Sequence, residues 1–314
     1  MNAYLHTLTS ILVIACVILL VVMLRKRGVL HQENGILFSQ LVIQVTLPAL
    51  IFDALSRSTF EWQYILLFLY MFISEMILLV IAWIFGKILQ LERSQMGSFL
   101  LASAFGSSAL LGYPLIMELF PGNVTALTEG TFVSEFGVGL PLFTVGVMVA
   151  IHYGQEQQTK RALFSSAFLF FKSPIFIAIV TGLLWSFSPL GTTGIFLTPL
   201  FEALHIIAKA NTFLVALTVG VLLSFSSLHS IMWLALVTIV IKLIISPLLV
   251  YLPASMMSLE PWQLQVLLLE AAMPSAMLSV VLAKRYGCDA KLAAKLVFIT
   301  LTGSLFTVSF MIGL

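Results

Sequence analysis

The chain predicts an all-α integral membrane protein of ten transmembrane helices, built as two inverted five-helix repeats with crossed, proline-broken helices 4 and 9. Three observations carry that prediction. Hydrophobic residues fill 61% of 314 positions and charged residues only 9%, with a mean hydropathy of +1.12, far beyond what a soluble core of this length uses. Apolar stretches of about 20 residues, the length that crosses a bilayer's hydrocarbon core, recur along the whole chain. Lysine and arginine gather in alternate loops, as they do when one side of a membrane retains them.

The apolar segments run over 5–24, 35–55, 62–86, 97–119, 127–150, 166–187, 195–224, 231–252, 263–283 and 292–313. The first is followed by Arg25, Lys26 and Arg27, whereas a cleaved signal peptide carries its positive charges ahead of the apolar run, so this segment is expected to stay as a span. The same short basic run suits topology and lipid headgroups far better than nucleic acid. The hydrophilic stretch from His152 to Lys160 separates the segments into two sets. The expected domains are a first repeat over 1–151, a cytoplasmic linker over 152–163 and a second, inverted repeat over 164–314. Taken alternately, the loops put Arg25, Lys26, Arg27, Lys87, Arg93, Lys160, Arg161, Lys284, Arg285, Lys291 and Lys295 on one side and Arg57 on the other. Both termini are therefore expected outside the cytoplasm. Five spans per set is an odd number, so the two sets enter the membrane in opposite directions.

Within segment four, GSSALLGYPLIME over 106–118 reads as a broken helix. Pro114 lacks an amide hydrogen and frees the carbonyl of Leu110, and lipid cannot satisfy such groups. Segment nine repeats the device in LEAAMPSAM, where Pro274 frees the carbonyl of Glu270. Two such helices in inverted halves are expected to cross near the midplane and bring half-helix ends together. Each helix N-terminus carries about half a positive charge, so a pair of them favours a carboxylate. The plainer alternative is that both prolines only kink helices for packing. On the functional reading, Ser107, Ser108, Gly112, Pro114, Pro274 and Ser275 form the substrate site, the serines supplying amides and hydroxyls.

Charges inside apolar segments sharpen this. A lysine at membrane depth costs at least about 2.5 kcal/mol, so something offsets it. Lys209 lies in IIAKANTFL beside Asn211 and Thr212 and reads as an anion contact. Its structural alternative is a pair with Glu135 or Glu75. Lys242 reads as structural or as snorkelling to an interface. Glu75, Glu135 and Glu270 are the deepest acids and the candidates for ion coupling, with Glu118 and Asp53 toward the outer ends of their spans. Gln44 and Pro48 give the second span a polar face and a kink. The five histidines are scattered without metal-ligand spacing, two cysteines are too few for a disulfide framework, and no GxSxG, HExxH, phosphate loop or dinucleotide fingerprint occurs. No enzyme, metal, cofactor or nucleic-acid partner is expected.

Several stretches together resemble the auxin efflux carrier family, in particular its bacterial branch of small organic-anion transporters of the malonate type. They are LVIQVTLPALIFDAL at 41–55, LLGYPLI at 110–116, IIAKANTFLVALTVGVLL at 206–223, IKLIISPLL at 241–249 and EAAMPSAMLSVVLAKRYGCDAKLAAKLV at 270–297, the last being the most specific. The resemblance implies ten helices in two inverted repeats, divided into a scaffold and a transport portion, with helices four and nine crossing at their prolines. It further implies a secondary transporter of organic anions in a plasma membrane, here a bacterial inner membrane, that assembles as a homodimer, and the buried acids add proton or sodium coupling as an expected partner. Gly112 and Pro114 match the family's fourth-helix motif, and Pro274 its ninth. This chain departs at Ser107 and Ala109, where many members carry asparagine and glycine, and at Phe213, where many carry proline. Two other readings stay open: a cation-coupled symporter or exchanger with an ion as its main cargo, and a membrane receptor that binds the same ligand without moving it.

Overall fold

A computed structural model describes residue 13 and residues 16–31, 33–154, 171–222 and 231–311. Regular structure among them is helical: α1 over 16–26, α2 over 34–56, α3 (Gln63–Ile88), α4 (Arg93–Ala104), α5 over 108–119, α6 (Val124–Tyr153), α7 (Pro174–Ser186), α8 (Leu197–Leu222), α9 (Met232–Ala254), α10 (Pro261–Ala271), α11 (Leu278–Tyr286) and α12 (Ala290–Met311). These helices fall on the apolar segments of the sequence, with segments four and nine each divided in two, α4 with α5 and α10 with α11. Four of them, Gln63–Ile88, Val124–Tyr153, Leu197–Thr218 and Met232–Ala254, are long and apolar enough to cross a membrane on their own. The expected linker falls mostly outside the described residues.

Proline sets the local geometry. Four π turns, Val42–Thr46, Ser108–Gly112, Val133–Gly139 and Val240–Ile245, are each followed two residues later by a proline, Pro48, Pro114, Pro141 and Pro247, and a fifth, Leu142–Gly146, comes directly after Pro141. A proline cannot donate to the carbonyl one turn before it, and a wider turn lets that carbonyl shift its pairing without ending the helix. Pro274 acts differently. Around it the chain leaves the helix altogether, and the Glu270 carbonyl that it frees is taken up by the amides of Ala272 and Met273 in a tightened last turn.

The described chain divides into two compact units, and neither is a sequential half. The first comprises residues 1–62, 113–131 and 171–224. There α2 packs along α7 and α8, and small residues let the backbones close up: a Cβ on Gly182 would stand 2.9 Å from the Leu55 Cβ, and one on Gly220 would stand 2.7 Å from the Val21 Cβ. Beside them Phe52 stacks on Phe201, and Trp185 meets Phe52 edge-on and Phe201 at a tilt. The second unit comprises 63–112, 132–170 and 225–314. Its core gathers Leu78, Phe99, Leu101, Phe105, Val147, Leu282, Tyr286 and Leu296 from α3, α4, α6, α11 and α12.

Two helices of the second unit begin alike. Glu92 caps α4 and Gln95 reaches back to the Glu92 amide at 3.3 Å; Glu260 caps α10 and Gln263 reaches back to the Glu260 amide at 3.0 Å. Each is a reciprocal capping box that satisfies two otherwise unpaired amides.

Candidate functional site

Helix α4 ends at Ala104 and α10 at Ala271, and each is followed by a short extended segment. These segments lie antiparallel: Gly106 pairs with Ser275, the Ser107 amide donates to the Pro274 carbonyl at 2.7 Å, and the Ala276 amide donates to the Phe105 carbonyl at 2.9 Å. The two interrupted helices therefore cross, and at the crossing each supplies the backbone partner that the other lost. Buried main-chain groups demand such partners.

Helix α9 satisfies the helix ends that converge there. The Lys242 ammonium donates to the Ala104 carbonyl at 3.4 Å, and the Ser246 hydroxyl, one turn on, donates to the Ala271 carbonyl at 2.8 Å. A cation at a helix C-terminus is favourable, because unpaired carbonyls gather negative charge there. Lys242 also pairs with Glu75 at 3.2 Å and reaches the Ser246 hydroxyl at 3.4 Å, with both charged side chains fully enclosed. Its nitrogen sits so near Gly106 that a Cβ there would stand 3.1 Å away. Lys242 is thus a buried structural cation of the crossing and does not snorkel.

The side chains of the crossing are tied down in turn. The Ser275 hydroxyl donates to the Ala102 carbonyl, its amide donates to the Thr300 hydroxyl at 3.2 Å, and Thr300 donates to the Ser275 oxygen at 2.9 Å. The Ser279 hydroxyl donates to the Leu101 carbonyl at 3.0 Å. Both donors of Ser275 are committed, so this serine braces the crossing instead of presenting free donors. Ser108 is placed differently. Its oxygen accepts from the Ser134 hydroxyl at 2.8 Å, and its own hydrogen finds no acceptor among the described residues. It also opens a helix whose first-turn amides have no intrahelical partner. Gly112, in the same turn, lies against the Glu270 carboxyl: a Cβ at this position would meet the two carboxyl oxygens at 2.5 and 2.7 Å. Glu135 is buried on the π turn of α6.

In the first unit the expected polar group of Lys209, Asn211 and Thr212 is split. Lys209 is exposed, Asn211 fully buried and Thr212 half-buried. Positions two apart on a helix point to opposite sides, which the linear sequence hides. The Thr46 hydroxyl donates to the Asn211 side-chain oxygen at 2.8 Å, a bond that joins α8 to the π turn of α2. Glu75, one of the two acids that the sequence offers Lys209 as a partner, is engaged by Lys242. Pro114 is buried, whereas Glu118, at the end of α5, and Gln44 are exposed. Asp53 is mostly enclosed and held by Arg57 at 2.8 Å and by His205 at 3.2 Å.

Sequence reasoning missed three features. Glu75–Lys242 spans 167 positions and has no local signal. Asp53 and Arg57 stand four apart, a spacing that announces a helix pair. The two Glu-x-x-Gln boxes at 92–95 and 260–263 were readable as matched helix starts.

Long apolar helices and a crossing of interrupted helices braced by a buried ion pair define a multi-pass membrane protein with a polar centre, the construction used by membrane transporters. The family follows from the sequence comparison: the chain belongs to the membrane transport protein family, whose profile matches residues 6–155 and 154–312 and takes in the auxin efflux carriers. Similar proteins include an uncharacterized transporter of Methanocaldococcus jannaschii, 26% identical over 288 residues that cover 90% of each chain. An uncharacterized transporter of Methanothermobacter thermautotrophicus is 28% identical over 305 residues, 94% of this chain and 93% of the relative.

Proposed function

We infer that this transporter is a secondary carrier that moves a small organic anion, a carboxylate, by alternating access at the crossed helices. The observation that carries the reading is the crossing itself, with the first turn of α5 opening from it at Ser108 and α11 opening from it at Leu278. Amides of such turns attract negative charge, and the Ser108 hydroxyl has a hydrogen to give. Ser107, Ser108 and Gly112 receive the carboxylate, Pro114 and Pro274 keep the helices open, and Ser275 holds the crossing together. Lys209, Asn211 and Thr212 are carried from the sequence alone as further contacts for the anion. Glu75, Glu135 and Glu270 are the acids available for coupling to a proton or sodium gradient.

The wider reading is ten spans in two inverted repeats, 1–151 and 164–314, joined by a cytoplasmic linker. Both termini lie outside the cytoplasm, and the chain works in the plasma membrane as a homodimer. The matched capping boxes at the starts of α4 and α10 support the repeat, because corresponding helices begin with the same device. Each of the two compact units draws helices from both sequence halves, as a chain with a scaffold and a transport portion would.

The test is counterflow in proteoliposomes with a panel of radiolabelled mono- and dicarboxylates. At least one is expected to exchange, with the rate lowered by Ser108→Ala and by Lys209→Ala. Binding of a carboxylate without any counterflow would make the protein a receptor, and rates untouched by both substitutions would remove the site.

A further inference from the structure

Glu270 stands apart from every other charged group of the crossing. It lies in the last turn of α10, fully enclosed, and neither carboxyl oxygen has a hydrogen-bond partner among the described residues. One face of the carboxyl is closed by the backbone of Gly112. We propose that Glu270 is the proton carrier of this transporter: with the helices crossed as here its carboxyl holds a proton, and the proton is the coupled ion. The proposal rests on the transport reading given above and names the ion that reading left open.

The surrounding charges argue for it. Lys242 is the buried cation within electrostatic reach, and its three hydrogens are already directed to Glu75, Ala104 and Ser246. Glu135, on α6, adds a second negative group within reach of Glu270. Helix α3 brings Glu75, which Lys242 neutralises, together with Tyr64 and Tyr70. Helix α9 further carries Tyr251, α12 has Lys291 and Lys295 in its first two turns, and the α5 turn Ser108–Gly112 has no titratable side chain. One engaged lysine thus faces three enclosed acids, and Glu270 is the one left without a hydrogen bond. It also sits at the end of α10 where the helix dipole opposes negative charge. An enclosed carboxylate with no donor is expensive, and protonation removes the charge. A proton is, besides, the one ion that needs no coordination shell.

Release follows from the same packing. The O–H bond of the Glu270 carboxyl breaks, the electron pair stays on oxygen and the proton passes to water. That requires water to reach a group which Gly112 now covers, so proton release goes with separation of Gly112 from α10. Loss of the proton and rearrangement of the crossing thereby become one event.

Two measurements on the full chain in proteoliposomes test this, and they fail separately. The first needs no substrate. Infrared spectra at neutral pH are expected to show the carbonyl stretch of a protonated, enclosed carboxyl that is lost in Glu270→Gln and kept in Glu75→Gln. Absence of the band from the wild type, or its survival in Glu270→Gln, overturns the proposal. The second uses radiolabelled malonate. A pH gradient in sodium-free buffer is expected to drive accumulation; Glu270→Gln abolishes this while counterflow persists, and Glu270→Asp restores it. Accumulation that follows a sodium gradient, or that survives in Glu270→Gln, overturns the proton assignment. Should no carboxylate move while the infrared band behaves as expected, the transport reading fails and the protonated Glu270 stands. Glutamine copies the size and neutrality of the protonated acid, so this variant is expected to fold, which its thermal melting in detergent checks.

Discussion

Replacing Lys242 with methionine would separate the electrostatic role of the buried pair from its packing. Lys242 and Glu75 are both fully enclosed and lie 3.2 Å apart. Removing one partner of such a pair strands the other, at a cost of about 3–5 kcal/mol. Loss of the bond to the Ala104 carbonyl adds roughly 0.5 kcal/mol, at the low end for a hydrogen bond because its length is 3.4 Å. Methionine fills the space of the lysine stem, so a cavity contributes little. Lys242→Met is therefore expected to lose about 4 kcal/mol of stability, read by equilibrium unfolding in detergent with tryptophan fluorescence. The double variant Lys242→Met/Glu75→Met strands no charge and is expected to recover most of that loss, since apolar replacements of a whole pair are commonly neutral. The double-mutant cycle then returns a coupling of about 3 kcal/mol. A single variant that loses less than about 1 kcal/mol, or a double variant no more stable than the single, would refute the reasoning.

Three further outcomes follow from the packing. Gly112→Ala would place a methyl group 2.5 Å from a Glu270 oxygen and is expected to cost about 1–3 kcal/mol, with Glu270→Ala relieving it in the double variant; thermal melting checks both. Thr46→Val removes the hydroxyl that satisfies the Asn211 oxygen at 2.8 Å and is expected to destabilise by about 1–3 kcal/mol, whereas Thr46→Ser stays near the wild type in the same measurement. Burial pushes the Cys288 thiol up to about 11, and its Sγ lies 3.4 Å from the Ala150 carbonyl. With the value raised, the reactive thiolate forms only as pH climbs toward it, and roughly one thiol in ten thousand is ionised at neutral pH. Iodoacetamide should therefore modify Cys288 only after unfolding, as peptide mass spectrometry would show, and rapid labelling of the folded protein would contradict it.

The legible part of this protein was the part written in local pattern. Composition and apolar length announce a membrane chain because lipid admits helices and little else, and the helices lie on the segments so marked. Pro114 and Pro274 point to interrupted helices because a missing amide is a local defect, and the structure brings their flanks together through Gly106 and Ser275. The π turns ahead of Pro48, Pro141 and Pro247 belong to the same logic, although sequence alone does not say whether a proline will widen a helix or end it.

Partnership was decided only in three dimensions. Lys209 and Lys242 look alike in the sequence, each a lone cation in an apolar run, yet one is exposed and the other caps a helix and neutralises Glu75. Glu75, Glu135 and Glu270 likewise read as equals until packing pairs the first with Lys242 and leaves the third against Gly112. Spacing along a chain reports which face of a helix a residue takes. What lies across from that face depends on helices brought in from more than 100 positions away, and on those neighbours rests whether a buried charge is stabilised, neutralised or made ready to exchange a proton.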